Sequence, residues 1–169
     1  DAAVTRASQR SAASQSSTPD LAAAAKKSLE ARGEKGEGMA WSSAWKIALW
    51  ARLLEPELAY EMLKCQIAGP TYPNLCTAGP FQLDGGFAAP GSVCEMFLQS
   101  HVGLLHLLPA LPKAWPTGSF KGLRARGGFE VDAAWKDGKL TGAANRSPLA
   151  GPCKVRYGGH TVDLKTEAG

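Results

Sequence analysis

A change of hydrophobic period just after residue 100 constrains the fold more than any other feature of this chain. Before it, large apolar side chains recur at the three- and four-residue spacing of a helix face; from Gly118 onward they alternate as in a half-buried strand. Between the two patterns, residues 104–108 form a leucine-rich apolar run around His106, followed by Pro109, Pro112 and Pro116, so 103–117 is expected to be a linker between two domains. Helices and strands in separate blocks make an α+β chain.

The helical block is expected over 19–102. Residues 1–18, mostly Ala, Ser, Gln and Thr, carry too few large apolar groups to offset the entropy of ordering and are expected to be disordered. Pro19 and Asp20 are helix-start chemistry, and strong helix formers continue to Arg32-Gly33. After the connector 33–38, Trp41, Trp45, Ile47, Ala48, Ala51, Leu53 and Leu54 mark a second helix, with Ser42 and Ser43 placed to cap it. Pro56 fits the first turn of a third, which Gly69-Pro70 stops. Ser92-Val93-Cys94-Glu95 has the form of a capping box for a fourth, running to Ser100 or His101. Helices of this length joined by glycine-rich loops suggest antiparallel pairs, in a bundle or an α/α barrel.

The strand block, 118–169, reads as a small antiparallel β domain. Phe129, Val131, Ala133 and Trp135 alternate with more polar neighbours, and Asp137-Gly138 is a hairpin turn before the return strand from Lys139. A second hairpin follows, 154–157 and 161–164 about Gly158-Gly159.

Composition excludes several classes of function. In 169 residues the 19 basic and 15 acidic side chains are interspersed, and a net charge of +4 without clustering argues against a nucleic-acid partner. Lys121, Arg124 and Arg126 read as a solvated strand face, and the single Arg126-Gly127-Gly128 lacks the repetition of RNA-binding segments. Cys65, Cys76, Cys94 and Cys153 are widely spaced and read as buried thiols; no metal site and no cofactor are expected. No apolar run reaches the length of a membrane span, so no membrane partner is expected, and nothing specifies a compartment. His106, a polar ring among leucines, reads as a buried, satisfied histidine.

One stretch carries chemistry. Residues 72–87 are rich in turn formers and aromatics and hold a single acid, Asp84, before Gly85-Gly86. The pair permits a positive φ or a close backbone approach, so Asp84 is either a turn residue or a carboxylate held on a loop for catalysis or ligand orientation. Trp41, Trp45 and Trp50 have two readings as well, as sugar-stacking platforms or as helix–helix packing, and Trp115 reads as an interdomain plug.

Taken in order, Trp41-Ser42-Ser43-Ala44-Trp45, Tyr72-Pro73-Asn74-Leu75, Phe81-Gln82-Leu83-Asp84-Gly85, His106-Leu107-Leu108-Pro109, Trp115-Pro116-Thr117-Gly118 and Arg124-Ala125-Arg126-Gly127-Gly128-Phe129 resemble glycoside hydrolase family 95, the inverting α-L-fucosidases. The resemblance implies the last helices of an (α/α)6 barrel followed by a small C-terminal β domain. It makes Asp84 the catalytic carboxylate, with Trp41, Phe81 and Gln82 as substrate-binding residues and a fucosylated glycan as partner. In the family this carboxylate acts with asparagines from an earlier loop to activate water, opposite a glutamic acid that protonates the leaving oxygen. The chain differs in reading Gly79-Pro80 for His-Pro-Pro, Gly86-Phe87-Ala88 for Asn-Phe-Gly, and Ala40 for a glycine. The segments that carry the acid and the asparagines have no counterpart in it. The chain is therefore expected to be a fragment, inactive alone, whose uncovered helical part self-associates; the alternative is a noncatalytic carbohydrate-binding or structural remnant.

Overall fold

The computed structural model describes residues 18–33, 40–69, 71–74, 76–77, 83–147 and 151–166. The disorder expected for 1–18 and the connector expected for 33–38 fall outside them, apart from Thr18 and Gly33. The chain is α+β and divides into two compact units, Asp1–Met96 and Phe97–Gly169.

The described helices of the first unit are α1 (Pro19–Ala31), α2 (Ala40–Arg52), α3 (Pro56–Ala68) and α4 (Leu83–Phe97). Pro19 and Pro56 occupy first turns, where a missing N–H costs nothing. Three residues join α2 to α3, and the two helices pack together, so they run antiparallel. The turn is a Schellman arrangement: Glu55 N–H donates to Trp50 O and Leu54 N–H to Ala51 O, with Leu54 at φ 59°. A leucine in that conformation costs about 1–2 kcal/mol. Buried Ala44, Ile47, Trp50 and Ala51 of α2 and Ala59, Met62 and Leu63 of α3 supply apolar core.

Two helix starts differ from expectation. Ser42 and Ser43 lie inside α2, not ahead of it. The fourth helix begins at Leu83 rather than at Ser92, so the supposed capping box is mid-helix. Ser92 Oγ donates to Ala44 O (3.0 Å) and Ala88 O (2.8 Å), while Glu95 accepts from Arg52 Nε and Nη2 at 3.2 and 3.1 Å. Tertiary partners have claimed the two residues that local capping would have used.

The second unit holds β1 (Leu98–Gln99), β2 (Leu105–Leu107), β3 (Gly118–Ala125), β4 (Phe129–Lys136), β5 (Lys139–Arg146), β6 (Gly151–Tyr157) and β7 (His160–Thr166). They form sheets of order β1-β2-β6-β7 and β3-β4-β5. Asp137 and Gly138 both have positive φ, 52° and 71°, as a two-residue type I′ hairpin requires. The apolar run at 104–108 contributes β2, which pairs in parallel with β6, so the expected β domain is not purely antiparallel. Its leucines explain the difference: Leu105 and Leu107 share a core with Leu98, Val131 and Cys153, drawn from both sheets. Trp115 packs within this unit, its ring 5.4 Å from that of Phe97 and its carbonyl accepting from Trp135 Nε1 at 2.8 Å. Lys121, Arg124 and Arg126 are exposed. Of the cysteines, all expected to be buried, only Cys153 is; Cys65, Cys76 and Cys94 are exposed.

Candidate functional site

A close backbone approach in the helical unit lies at the N-terminus of α4. A Cβ built on Gly85 would stand 2.6 Å from Ala40 Cβ, 2.8 Å from Ala40 C and 2.9 Å from Trp41 N. No side chain fits there. Of the two uses foreseen for the glycines, Gly85 serves close approach: it lies inside α4, and its neighbour Asp84 is in the first helical turn rather than on a loop.

This contact sets Asp84 next to the start of α2. The Asp84 side chain is exposed, and its Oδ1 accepts from Gly85 N–H at 2.9 Å. A carboxylate at a helix N-terminus is favoured by the peptide dipoles. Its Oδ2 has no hydrogen bond among the described residues, and an exposed carboxylate oxygen of that kind can take a proton from water.

The tryptophans divide between their two readings. Trp50 is core at 1% exposure, whereas Trp41 is 45% exposed and its backbone adjoins the Gly85 contact. Trp45, one turn on, is also exposed and has the Arg32 guanidinium 5.9 Å from its ring centroid. Phe81 and Gln82 lie outside the described residues. The structure thus brings Gly85, the chain neighbour of Asp84, against Ala40 and the backbone of Trp41.

Because α2 and α3 are antiparallel, the C-terminus of α3 is at this same end. Thr71 Oγ1 donates to Gln66 O at 2.7 Å, and Thr71 bridges to Thr77, which holds the Tyr72-Pro73-Asn74 turn over the helix end. Gln66 itself is buried at 1% exposure, and neither Nε2 nor Oε1 has a hydrogen-bond partner among the described residues.

Two polar residues escaped the sequence reading. Gln66 continues the stripe Ala59, Met62, Leu63, and a polar side chain in that register was the available signal. Lys46 is 2% exposed within the buried face of α2, and its Nζ donates to Arg32 O (3.0 Å) and Gly33 O (3.3 Å), closing the C-terminus of α1. Among the described residues, no group of three His, Cys, Asp or Glu side chains could hold a metal ion.

Comparison with known proteins covers both units. The family described as "Glycosyl hydrolase family 95 catalytic domain" matches residues 8–97, and "Glycoside hydrolase family 95, C-terminal domain" matches 99–168. The chain is 44% identical over 136 residues to "Alpha-L-fucosidase 2" of Arabidopsis thaliana, an alignment covering 73% of this chain and 16% of that protein. It is 32% identical over 133 residues to "Probable alpha-fucosidase A" of Aspergillus oryzae, covering 68% of this chain and 18% of the other. The chain thus spans less than one fifth of the length of these relatives.

Proposed function

The chain belongs to glycoside hydrolase family 95, and from that membership we propose that it is a segment of an inverting α-L-fucosidase acting on terminal fucose of oligosaccharides or glycoconjugates. Its helices are the last of an (α/α)6 barrel, and Asp84 is the carboxylate on the water side of the scissile bond. The seating of Gly85 on Ala40 and the backbone of Trp41 supports this reading, because the exposed residues Asp84 and Trp41 both adjoin that contact along the chain. A flat apolar ring can stack on a sugar face while the carboxylate polarises water. Phe81 and Gln82, next to Asp84 in sequence, complete the substrate contacts.

An inverting site also needs an acid on the opposite face, about 6.5–9.5 Å from the base. The one other acid of α4, Glu95, has both carboxylate oxygens engaged by Arg52. The chain alone is therefore inactive in this reading. The same ion pair favours the second reading, a noncatalytic carbohydrate-binding or structural role.

A chimaera separates them. Residues 19–166 would replace the aligned segment of the Arabidopsis protein, and release of p-nitrophenol from its α-L-fucoside would be followed. The fucosidase reading expects turnover that falls by on the order of 10²-fold or more in Asp84→Asn, which keeps shape and removes charge. A folded chimaera without turnover would establish the noncatalytic reading, and turnover indifferent to Asp84→Asn would remove Asp84 from the mechanism.

A further inference from the structure

A cleft of about 710 Å³ opens in the second unit between its two sheets. Leu105, Leu107, Val131 and Val155 give it an apolar floor. Its two sides are different in kind. On β5 it touches residues 143–146 without a gap, and on β7 it touches 164–166 without a gap. Successive strand residues point to opposite faces, so a surface that meets them consecutively is meeting the strand's edge. Both strands end their sheets among the described strands.

The cleft is therefore an apolar trough between two sheet edges, each a row of backbone donors and acceptors that a further strand can pair with. Beyond an irregularity at Thr141, the pairing of β5 is regular from Gly142 to Arg146, with Ala143 and Ala144 exposed and neither proline nor lysine between Gly142 and Asn145 to discourage pairing. The charge around the trough is mostly basic. Arg124, Arg146 and Lys165 line it together with one carboxylate, Glu130. Glu130 holds both arginines, at 2.8 and 3.2 Å, and Asp132 holds Arg146 at 2.7 Å, which leaves Lys165 as the cation outside this ion-pair cluster and keeps the two guanidinium groups at the rim.

We propose that this trough binds an extended acidic peptide segment, which adds as a strand to the edge of β5 or β7, sets alternate apolar side chains on the leucine and valine floor, and turns its carboxylates to Arg124, Arg146 and Lys165. Backbone pairing supplies affinity, the floor sets a two-residue spacing, and the rim selects the sign of charge. This is a peptide site in the β unit, separate from any sugar chemistry at Asp84.

The test uses the intact chain labelled with ¹⁵N, titrated with an acetylated and amidated Glu/Val alternating heptapeptide and with its Lys/Val counterpart. Expected are amide shifts and slowed hydrogen exchange confined to 143–146 or 164–166, binding at least about tenfold weaker for the Lys/Val peptide, and weakening of the Glu/Val peptide by added salt. Lys165→Glu, at an exposed position, should weaken the Glu/Val peptide by about threefold to tenfold without moving the melting temperature. Arg146→Glu should reverse the preference between the peptides, with the spectrum of the free variant verifying its fold. The proposal is overturned by equal binding of the two peptides, by the absence of edge-amide changes at millimolar peptide, or by sodium decanoate filling the trough while the peptides leave the edge amides unprotected.

Discussion

Gly85 and Ala40 meet backbone to side chain so closely that a methyl group on Gly85 would lie 2.6 Å from the Ala40 Cβ. Gly85→Ala is expected to cost about 1–3 kcal/mol as an overpacking change. Ala40→Gly should recover only part of that, because Ala40 C and Trp41 N stand at 2.8 and 2.9 Å and cannot be trimmed away. A double-mutant cycle in urea measures both; full recovery would show that the backbones are not in contact.

Lys46 should be needed to hold α1. Its ammonium group serves Arg32 O and Gly33 O, so Lys46→Met is expected to cost about 1.5–3 kcal/mol, the range for hydrogen bonds to a charged group. Limited proteolysis should then cut within 19–33 ahead of the rest of the first unit. An unchanged digestion pattern would mean that α1 is held by its apolar contacts alone.

Gln66 offers the opposite sign. With both amide atoms buried and without a hydrogen-bond partner among the described residues, Gln66→Met removes a desolvation cost and should stabilise the chain by about 1–3 kcal/mol in a urea melt. Destabilisation by Gln66→Met would show that a bound water or ligand satisfies the amide in solution.

His106 sets a pH dependence. Burial, then Arg156 and then His101 push its pKa from the usual 6.5 down to about 4, and Arg156 is its cross-strand neighbour in β6. In this window the unfolded chain binds the proton and the native state does not, so stability is complete above pH 6.5 and is lost as pH falls toward 4. Discounted for the part of the ring that meets solvent, the loss should be about 1–2 kcal/mol. His106→Gln should flatten the pH 4–6.5 limb of the stability curve; an identical slope in that variant would exclude His106 as its source.

The exposed apolar side chains of the first unit should be adhesive. Phe87 is 75% exposed, Leu83 62% and Ile67 59%, so the isolated chain is expected to bind a hydrophobic dye and to self-associate with rising concentration. Phe87→Ser with Leu83→Ser should lower both signals by about half or more, in keeping with the apolar area removed. A dye-silent wild-type monomer at high concentration would contradict the expectation.

What the sequence determined by itself was local. The helices that open at Pro19 and Pro56, the alternation along β4 and the Asp137-Gly138 hairpin follow from backbone rules that act within a few residues, and the structure keeps them. The motif around Asp84 was legible for the same reason, as a contiguous string. Tertiary structure decided what depends on residues distant in sequence. Gly85 is helical because the backbone of Ala40 and Trp41 covers it; Ser92 and Glu95 do not start a helix because Ala44 and Arg52 take their side chains. Leu105 and Leu107 form a strand and not a linker because β1 and β6 flank them, and an apolar run alone reads equally well as either. The approach of Gly85 to Ala40 and Trp41 belongs to the same class: the motifs name Gly85 and Trp41, but only tertiary packing brings these distant backbones together.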